Sequence, residues 1–348
     1  MDFAAAGGWP FVLGRLTARQ DLSSDEAAGT LDEILDGRAT SAQIAAFAVA
    51  LRMKGESVEE MTGLVASLVG HAETVAVPAG VDPVDTCGTG GDRSHSINVS
   101  TLSALVVAGA GAVVCKHGNR AASSAAGSAD VLEALGVTID LGPDGVAACL
   151  EQAGLAFCFA PRFHPALRHA GPTRRELGVA TVFNFLGPLV NPARPRRQLV
   201  GVSDPAMAAK MAGALAAQGA TRSLVVYGHD GLDELTTTTT STVLDLQDGE
   251  LRTYDVDPAV LGLAASSPAQ LRGGDAAANA EAVRRVLDGE PGPQRDIVIL
   301  NAAAGLVAAG RAVDIAEGLD AARASVDEGA AAAALERLVA ASKAAPPE

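Results

Sequence analysis

Residues 85–101 read DTCGTGGDRSHSINVST. This stretch continues the extended PVDT (83–86) into three glycines within four residues, then into a helix that begins near Asn98. Strand, glycine loop and helix N-terminus in that order turn backbone N–H donors toward a ligand, and the helix dipole favours negative charge there. Yet Asp92 closes the glycine run, so the ligand must tolerate a carboxylate beside those donors. The spacing is neither the dinucleotide-binding G-x-G-x-x-G nor the Walker pattern ending in Lys-Ser/Thr.

Outward from this loop the chain alternates. AVVCK (112–116), LAFCFA (155–160), QLVGV (198–202), SLVVYG (223–228) and DIVIL (296–300) read as short strands. Alanine-rich segments such as SADVLEALG (128–136) and PAMAAKMAGALAAQG (205–219) read as helices between them, so an α/β lobe with a largely parallel sheet is expected. TVLDLQDGELRTYDV (242–256) alternates around Asp248-Gly249 and predicts an edge hairpin. The threonine run 236–240 reads as a strand or a surface loop.

Toward the N-terminus the pattern is purely helical. Ser23 with Glu26, Thr40 with Gln43 and Ser57 with Glu60 form three successive capping boxes. Behind the second, Ile44, Phe47, Ala48 and Leu51 make one apolar stripe; behind the third, Met61, Leu64, Val65 and Leu68 make another. The block 161–197 has the prolines, glycines and arginines of neither sheet nor plain helix, and is expected to cross to the helical lobe and return. A double crossing makes a hinged cleft between two lobes, a common place for a ligand.

With 348 residues, 48% of them hydrophobic and 3% aromatic, the chain can build two lobes with cores of Ala, Val and Leu. A net charge of −15 argues against nucleic acid or an anionic membrane as partner, but leaves room for a phosphorylated small molecule met by a local positive patch. The opening MDFAAAGGWPFVLG lacks a basic start and cleavage pattern, and the longest apolar run (102–115) is too short and glycine-broken to span a bilayer. Four cysteines without a CxxC pair indicate neither zinc nor a disulfide framework. A soluble, cytoplasmic protein is expected.

Three loops carry the chemistry. Beside the glycines, Ser96, Asn98, Ser100 and Thr101 can donate to phosphate oxygens. KHGNRAASSAAGS (116–128) follows the next strand and adds the cations Lys116 and Arg120 and the hydroxyls of Ser123, Ser124 and Ser128. Two such loops on neighbouring strands would converge on one anion, which favours a diphosphate. In DGLDEL (230–235) the adjacent Asp233 and Glu234 can bind Mg²⁺ alongside substrate phosphates and water. Asp92 then has a role too, accepting from hydroxyls or metal-bound water while the glycines hold phosphate.

GTGGD with NVST, KHGNR with GSADVLEALG, HPA, RRELG with TVFNFLGPLVNP, and DGLDEL, in this order and spacing, resemble the anthranilate phosphoribosyltransferases. The resemblance runs from the N-terminal helices to ILNAAAGL (299–306). It implies a nucleoside-phosphorylase-like α/β architecture: a small all-helical lobe (1–76, joined by the crossing segment at about 162–184) and a larger α/β lobe (77–161 and 185–348) with a mostly parallel central sheet, the active site lying in the hinged cleft. It implies a homodimer through the helical lobe, and Mg²⁺-dependent transfer of phosphoribose from phosphoribosyl pyrophosphate to the amine of anthranilate, in tryptophan biosynthesis.

Residue by residue, the resemblance puts the donor on Gly88, Gly91, Asp92, Ser96, Asn98, Val99, Ser100 and Thr101, on the loop Lys116, His117, Gly118, Asn119, Arg120, Ala121, Ala122, Ser123 and Ser124, and on Ser128. Magnesium falls to Ser100, Asp233 and Glu234. Anthranilate falls to Gly88, Asn119 and Arg174, with His117, His164, Gly187 and Pro188 lining its approach. An aryl amine is neutral near pH 7, so no strong base is required; the difficult part is departure of pyrophosphate as C1 becomes cationic. The chain departs from the family in the bulky basic Arg93-Ser94-His95, in the threonine run, and at Ala180. A pyrimidine nucleoside phosphorylase gives no reason for KHGNR and RRELG together. A nucleic-acid-binding relative of the fold would need a basic surface; a paralogue acting on a related aminobenzoate keeps the same motifs.

Overall fold

The structure is a computed structural model and describes residues 3–5, 7–121 and 125–346. Four helices come first: α1 (Gly8–Thr17), α2 (Ser24–Leu35), α3 (Ser41–Lys54) and α4 (Val58–Gly70). The last three open on the expected capping boxes, each with both reciprocal bonds present; one cap hydroxyl is worth about 1 kcal/mol. Both apolar stripes are buried along their full length. Gly63 lets α4 press on α2, since a Cβ there would lie 2.0 Å from the Ser24 carbonyl oxygen.

The chain then builds β1 (Val84–Gly88), α5 (Val99–Gly109), β2 (Val114–Gly118), α6 (Ser128–Ala134), α7 (Pro143–Ala153) and β3 (Leu155–Phe159). Short helices α8 (Ala160–Phe163), α9 (Gly171–Leu177) and α10 (Phe183–Leu186) carry it over α2, α3 and α4 before β4 (Arg197–Gly201). Two bonds tie the ends of this excursion: Glu73 N–H to the Phe163 carbonyl at 3.0 Å and Val75 N–H to the Pro192 carbonyl at 3.2 Å. After it come α11 (Pro205–Ala217), β5 (Arg222–Gly228), β6 (Ser241–Gln247), β7 (Glu250–Val256), α12 (Ala276–Leu287), α13 (Pro293–Ala308), α14 (Ile315–Asp327) and α15 (Ala330–Ala344).

The sheet runs β3-β2-β1-β4-β5-β6-β7. It is parallel from β3 to β5, and β6 and β7 form the expected antiparallel hairpin. Its turn residues Asp248 (φ 50°) and Gly249 (φ 86°) are both left-handed, as a two-residue hairpin turn requires. From β1 the chain winds outward to β2 and β3, and later from β4 the other way. The crevice beyond the carboxyl ends of β1 and β4 is therefore the ligand position this topology provides.

One face of the sheet packs Val84, Val114, Leu199 and Leu224 under α5 and α13; the other packs Cys87, Val200 and Val225 against α11 and the helical lobe.

DIVIL (296–300), expected as a strand, is the start of helix α13. Every residue from Ile297 to Ala308 is buried, and a helix that is apolar on all sides belongs in a core. A short apolar run does not distinguish that case from a buried strand. The threonine run is a loop, but it does not lie wholly at the surface: Thr236 and Thr237 are fully buried. Their hydroxyls have internal partners, Asp230 Oδ2 at 2.8 Å and Ser266 Oγ at 2.6 Å. Among the described residues no helix is long and apolar enough to cross a membrane.

Candidate active site

The loops after β1, β2 and β5 meet at the carboxyl edge of the sheet around a cleft of about 320 Å³. Residues 87–100, 116–121 and 126–128 line it, with Asn184, Asp233 and Glu234. All the described candidates for donor and metal stand on this wall except Thr101, which lies just behind it. Ala122, Ser123 and Ser124 lie outside the described residues. His164, Arg174, Gly187 and Pro188 stand off the wall and reach it through neighbours described below.

Glycines bring the acidic loop onto the glycine loop. A Cβ at Gly88 would lie 2.5 Å from Asp233 Oδ2, and one at Gly201, the last residue of β4, would lie 1.6 Å from the Asp233 carbonyl oxygen. Gly90 and Gly91 take left-handed φ values of 64° and 81°, which glycine adopts without strain. The Gly90 N–H then donates to Asp233 Oδ2 at 2.7 Å. Ser203 Oγ donates to the Gly90 carbonyl at 2.8 Å and Thr89 N–H to the Gly201 carbonyl at 2.9 Å, so β4 holds the loop from the side.

The acidic pair is electrostatically uncomfortable. Burial, then the facing Asp92 carboxylate, pushes Asp233 up to about 7, against the Gly90 N–H that favours its charged form. Glu234 is raised by burial and by Asp233; the Lys116 ammonium and the Ser100 N–H, in the first turn of α5, draw it back. That excess of negative charge is what a dication relieves. No three His, Cys, Asp or Glu side chains form a complete metal site among the described residues. The donor set Ser100, Asp233 and Glu234 therefore fits an ion that takes further oxygens from substrate and water, as Mg²⁺ does.

On the second loop, Lys116 lies at the floor of the cleft, 2% exposed, and donates to the Thr86 carbonyl and to Ser100 Oγ. Beneath it Asp85, fully buried, accepts from His117 N–H at 3.1 Å and from Asn191 Nδ2 at 2.8 Å. Thr101 Oγ1 donates to Ser128 Oγ at 2.9 Å, fastening α5 to α6. Asn98 lines the cleft, but its Nδ2 is committed to the Ala126 carbonyl and its Oδ1 to Asn279 Nδ2. Arg120 is exposed and paired with Asp130 and Glu133, so much of its charge is balanced locally.

Among the residues expected to line the acceptor's approach, the His117 and His164 rings lie 5.3 Å apart, and His117 Nδ1 is 3.2 Å from the Gly187 carbonyl. Burial pushes His117 down to about 3, helped by His164, and His164 down to about 4. Both are neutral at physiological pH. Pro188 is tied in through its carbonyl, which accepts from Gln198 Nε2 at 2.9 Å and from Sγ of the cleft residue Cys87 at 3.9 Å. Arg174, on α9, has its guanidinium 5.4 Å from the Phe183 ring, next to the cleft residue Asn184. It is half-buried and makes no ion pair among the described residues. Burial lowers its pKa.

Thr89, Gly90, Gly127 and Asn184 also line the cleft, and Gly201 stands against it, although none of the five is among the residues expected from the sequence. Gly90 and Asn184 lie inside quoted motifs and could have been found there. Gly201 could not, because its requirement comes from a loop brought against it by the fold.

Two family models match the chain: the helical bundle domain of the glycosyl transferase family over residues 11–72 and its a/b domain over residues 80–332. Anthranilate phosphoribosyltransferase of Rhodococcus jostii (strain RHA1) is 56% identical over 94% of this chain and 92% of its own length. That of Nocardioides sp. (strain ATCC BAA-499 / JS614) is 55% identical over 96% and 98%. Among solved structures, the anthranilate phosphoribosyltransferase of Thermus thermophilus superposes with a TM-score of 0.90 at 41% identity, over 95% of this chain and 99% of its own. The Saccharomyces cerevisiae anthranilate phosphoribosyltransferase in complex with PRPP and Mg superposes with a TM-score of 0.89 at 26% identity, over 97% and 98%.

Proposed function

We propose how the residues of this cleft divide their roles in a chain that belongs to the anthranilate phosphoribosyltransferases of the glycosyl transferase family. The enzyme transfers phosphoribose from phosphoribosyl pyrophosphate to the amine of anthranilate, releasing pyrophosphate, in tryptophan biosynthesis, and Mg²⁺ is its cofactor.

One observation carries the division of roles: the glycine loop, the KHGNR loop and the acidic loop converge on a single cleft at the carboxyl edge of the sheet. Backbone N–H groups around Gly88 and Gly91 and at the start of α5, with Ser96 and Ser128, hold the donor's phosphates. Asp92 accepts from ribose hydroxyls or from metal-bound water. Asn98 and Thr101 fix the loops on which those groups sit. Ser100, Asp233 and Glu234 would hold the Mg²⁺, which supplies charge neutralisation for the departing pyrophosphate. Lys116 adds a fixed cation at the floor of the same cleft and balances Asp85 beneath it.

Anthranilate meets Gly88, Asn119 and Arg174, the guanidinium gripping its carboxylate. His117 and His164, uncharged, line the approach with Gly187 and Pro188. An amine lone pair aligned with C1 forms the N–C bond as the bond from C1 to pyrophosphate breaks, and the nitrogen then releases a proton to solvent. Alignment and charge stabilisation do the catalysis; no protein nucleophile takes part.

The same reading divides the chain into a helical lobe (1–76, joined by 162–184) and an α/β lobe (77–161 and 185–348). It pairs two copies through the helical lobe, where Phe11 and Met53 are exposed at 36% and 72%. It places the enzyme in the cytoplasm without a nucleic-acid partner, consistent with a net charge of −15. The test is to mix the protein with anthranilate, phosphoribosyl pyrophosphate and Mg²⁺ and follow anthranilate fluorescence. Loss that needs all three components is expected. Turnover of another aminobenzoate with anthranilate untouched would contradict the acceptor assignment.

A further inference from the structure

We propose that Asn301 is a positioning residue for the reaction: its side-chain amide sets the backbone that presents Asp233 and Glu234 to the metal. The inference rests on the metal reading given above. Asn301 lies in the middle of α13 and is fully buried. Its Oδ1 accepts from the Leu235 N–H at 2.9 Å, and its Nδ2 donates to the Leu235 carbonyl at 2.8 Å. This two-bond bracket offers Leu235, the residue directly after the carboxylate pair, what a neighbouring strand would offer. The second Nδ2 hydrogen goes to the Ile297 carbonyl, one helical turn back, at 2.9 Å. Both donors of the amide are thereby used, and its orientation is fixed.

The bracketed loop has no ladder of its own, since β5 ends at Gly228 and β6 begins at Ser241. On its other side, Gly88 and Gly201 clear the space that Asp233 enters. Two adjacent carboxylates, Asp233 buried and Glu234 half-buried, repel each other, and a loop free to move would swing them apart or toward water. The fully packed helix behind Leu235 resists that displacement through a single amide. Partners of metal ligands commonly control metal affinity or activity by about ten- to a hundredfold.

The experiment titrates Mn²⁺, in place of Mg²⁺, by electron paramagnetic resonance with phosphoribosyl pyrophosphate present. It compares the unmodified enzyme, Asn301→Ala, and the double variant Asp233→Ala/Glu234→Ala. Asn301→Ala is expected to bind Mn²⁺ about tenfold more weakly, to regain turnover as Mg²⁺ is raised, and to keep its anthranilate KM. Unchanged Mn²⁺ affinity in Asn301→Ala, with binding lost in the double variant, overturns the role of Asn301 alone. Unchanged binding in the double variant overturns the metal reading beneath it. Should Asn301→Ala fail to fold, Asn301→Ser, which keeps a hydroxyl in a smaller side chain, is titrated with the same two outcomes.

Discussion

The backbone N–H of Gly90 donates to Asp233 Oδ2 over 2.7 Å, which makes the loop after β1 and the loop after β5 one structure. A glycine run followed by an aspartate looks self-defeating as an anion site. In this contact one of the loop's N–H donors is already spent on a carboxylate, and the site as proposed would leave the remaining donors to phosphate and the remaining negative charge to a cation.

Replacing both Asp233 and Glu234 by Ala should lower turnover by at least about tenfold and raise the Mg²⁺ concentration needed for half-maximal rate. A Mg²⁺ titration of initial rates checks this. Identical Mg²⁺ dependence in the double variant would remove these residues from the metal site.

Asp233 ties function to stability. Its folded-state pKa, raised to about 7 by burial and Asp92, lies above the ordinary carboxylate value near 4. Between those two values the folded protein holds a proton that the unfolded chain has released, so this group's contribution to stability falls as pH rises through the window. Asp233→Asn should therefore melt higher than the parent above pH 7 without ligand, by several degrees at about 1–2 °C per kcal/mol for a chain of this length. The difference should shrink toward pH 5. A difference that grows on acidification would mean that Asp233 is stabilised as a carboxylate.

The histidines run the other way. His164, held down at about 4 by burial, stays neutral in the fold while the unfolded chain takes up a proton near pH 6.5. Its contribution is full above pH 6.5 and is lost as pH falls toward 4, about 2 kcal/mol by pH 5. His164→Asn should flatten that part of the stability curve in denaturant melts from pH 7 to 5. An unchanged slope would place a charged His164 in the folded protein.

Much of this was legible because it is local. Capping boxes span four residues and report helix starts directly, and all three appear with both bonds made. The glycine loop declares itself through the strand before it and the helix after it. Asn301 and Leu235 are 66 residues apart, and no spacing rule joins them. Gly201 reads as an ordinary strand residue until Asp233 arrives against it. DIVIL failed for a related reason: burial on every side erases the periodicity that separates helix from strand.

Arg174 carries the central claim, that the carboxylate of the acceptor is held by a residue outside the loops proposed for the donor. The groups proposed for the donor stand on three loops at the sheet edge, whereas Arg174 comes from α9, against Phe183. A charge-assisted hydrogen bond to a carboxylate is worth roughly 1.5–3 kcal/mol, or about ten- to a hundredfold in affinity. Steady-state kinetics of Arg174→Ala, varying each substrate in turn, should show the anthranilate KM raised by about that factor with the phosphoribosyl pyrophosphate KM nearly unmoved. A raised donor KM with an unchanged anthranilate KM would put Arg174 in the phosphate site and contradict the account.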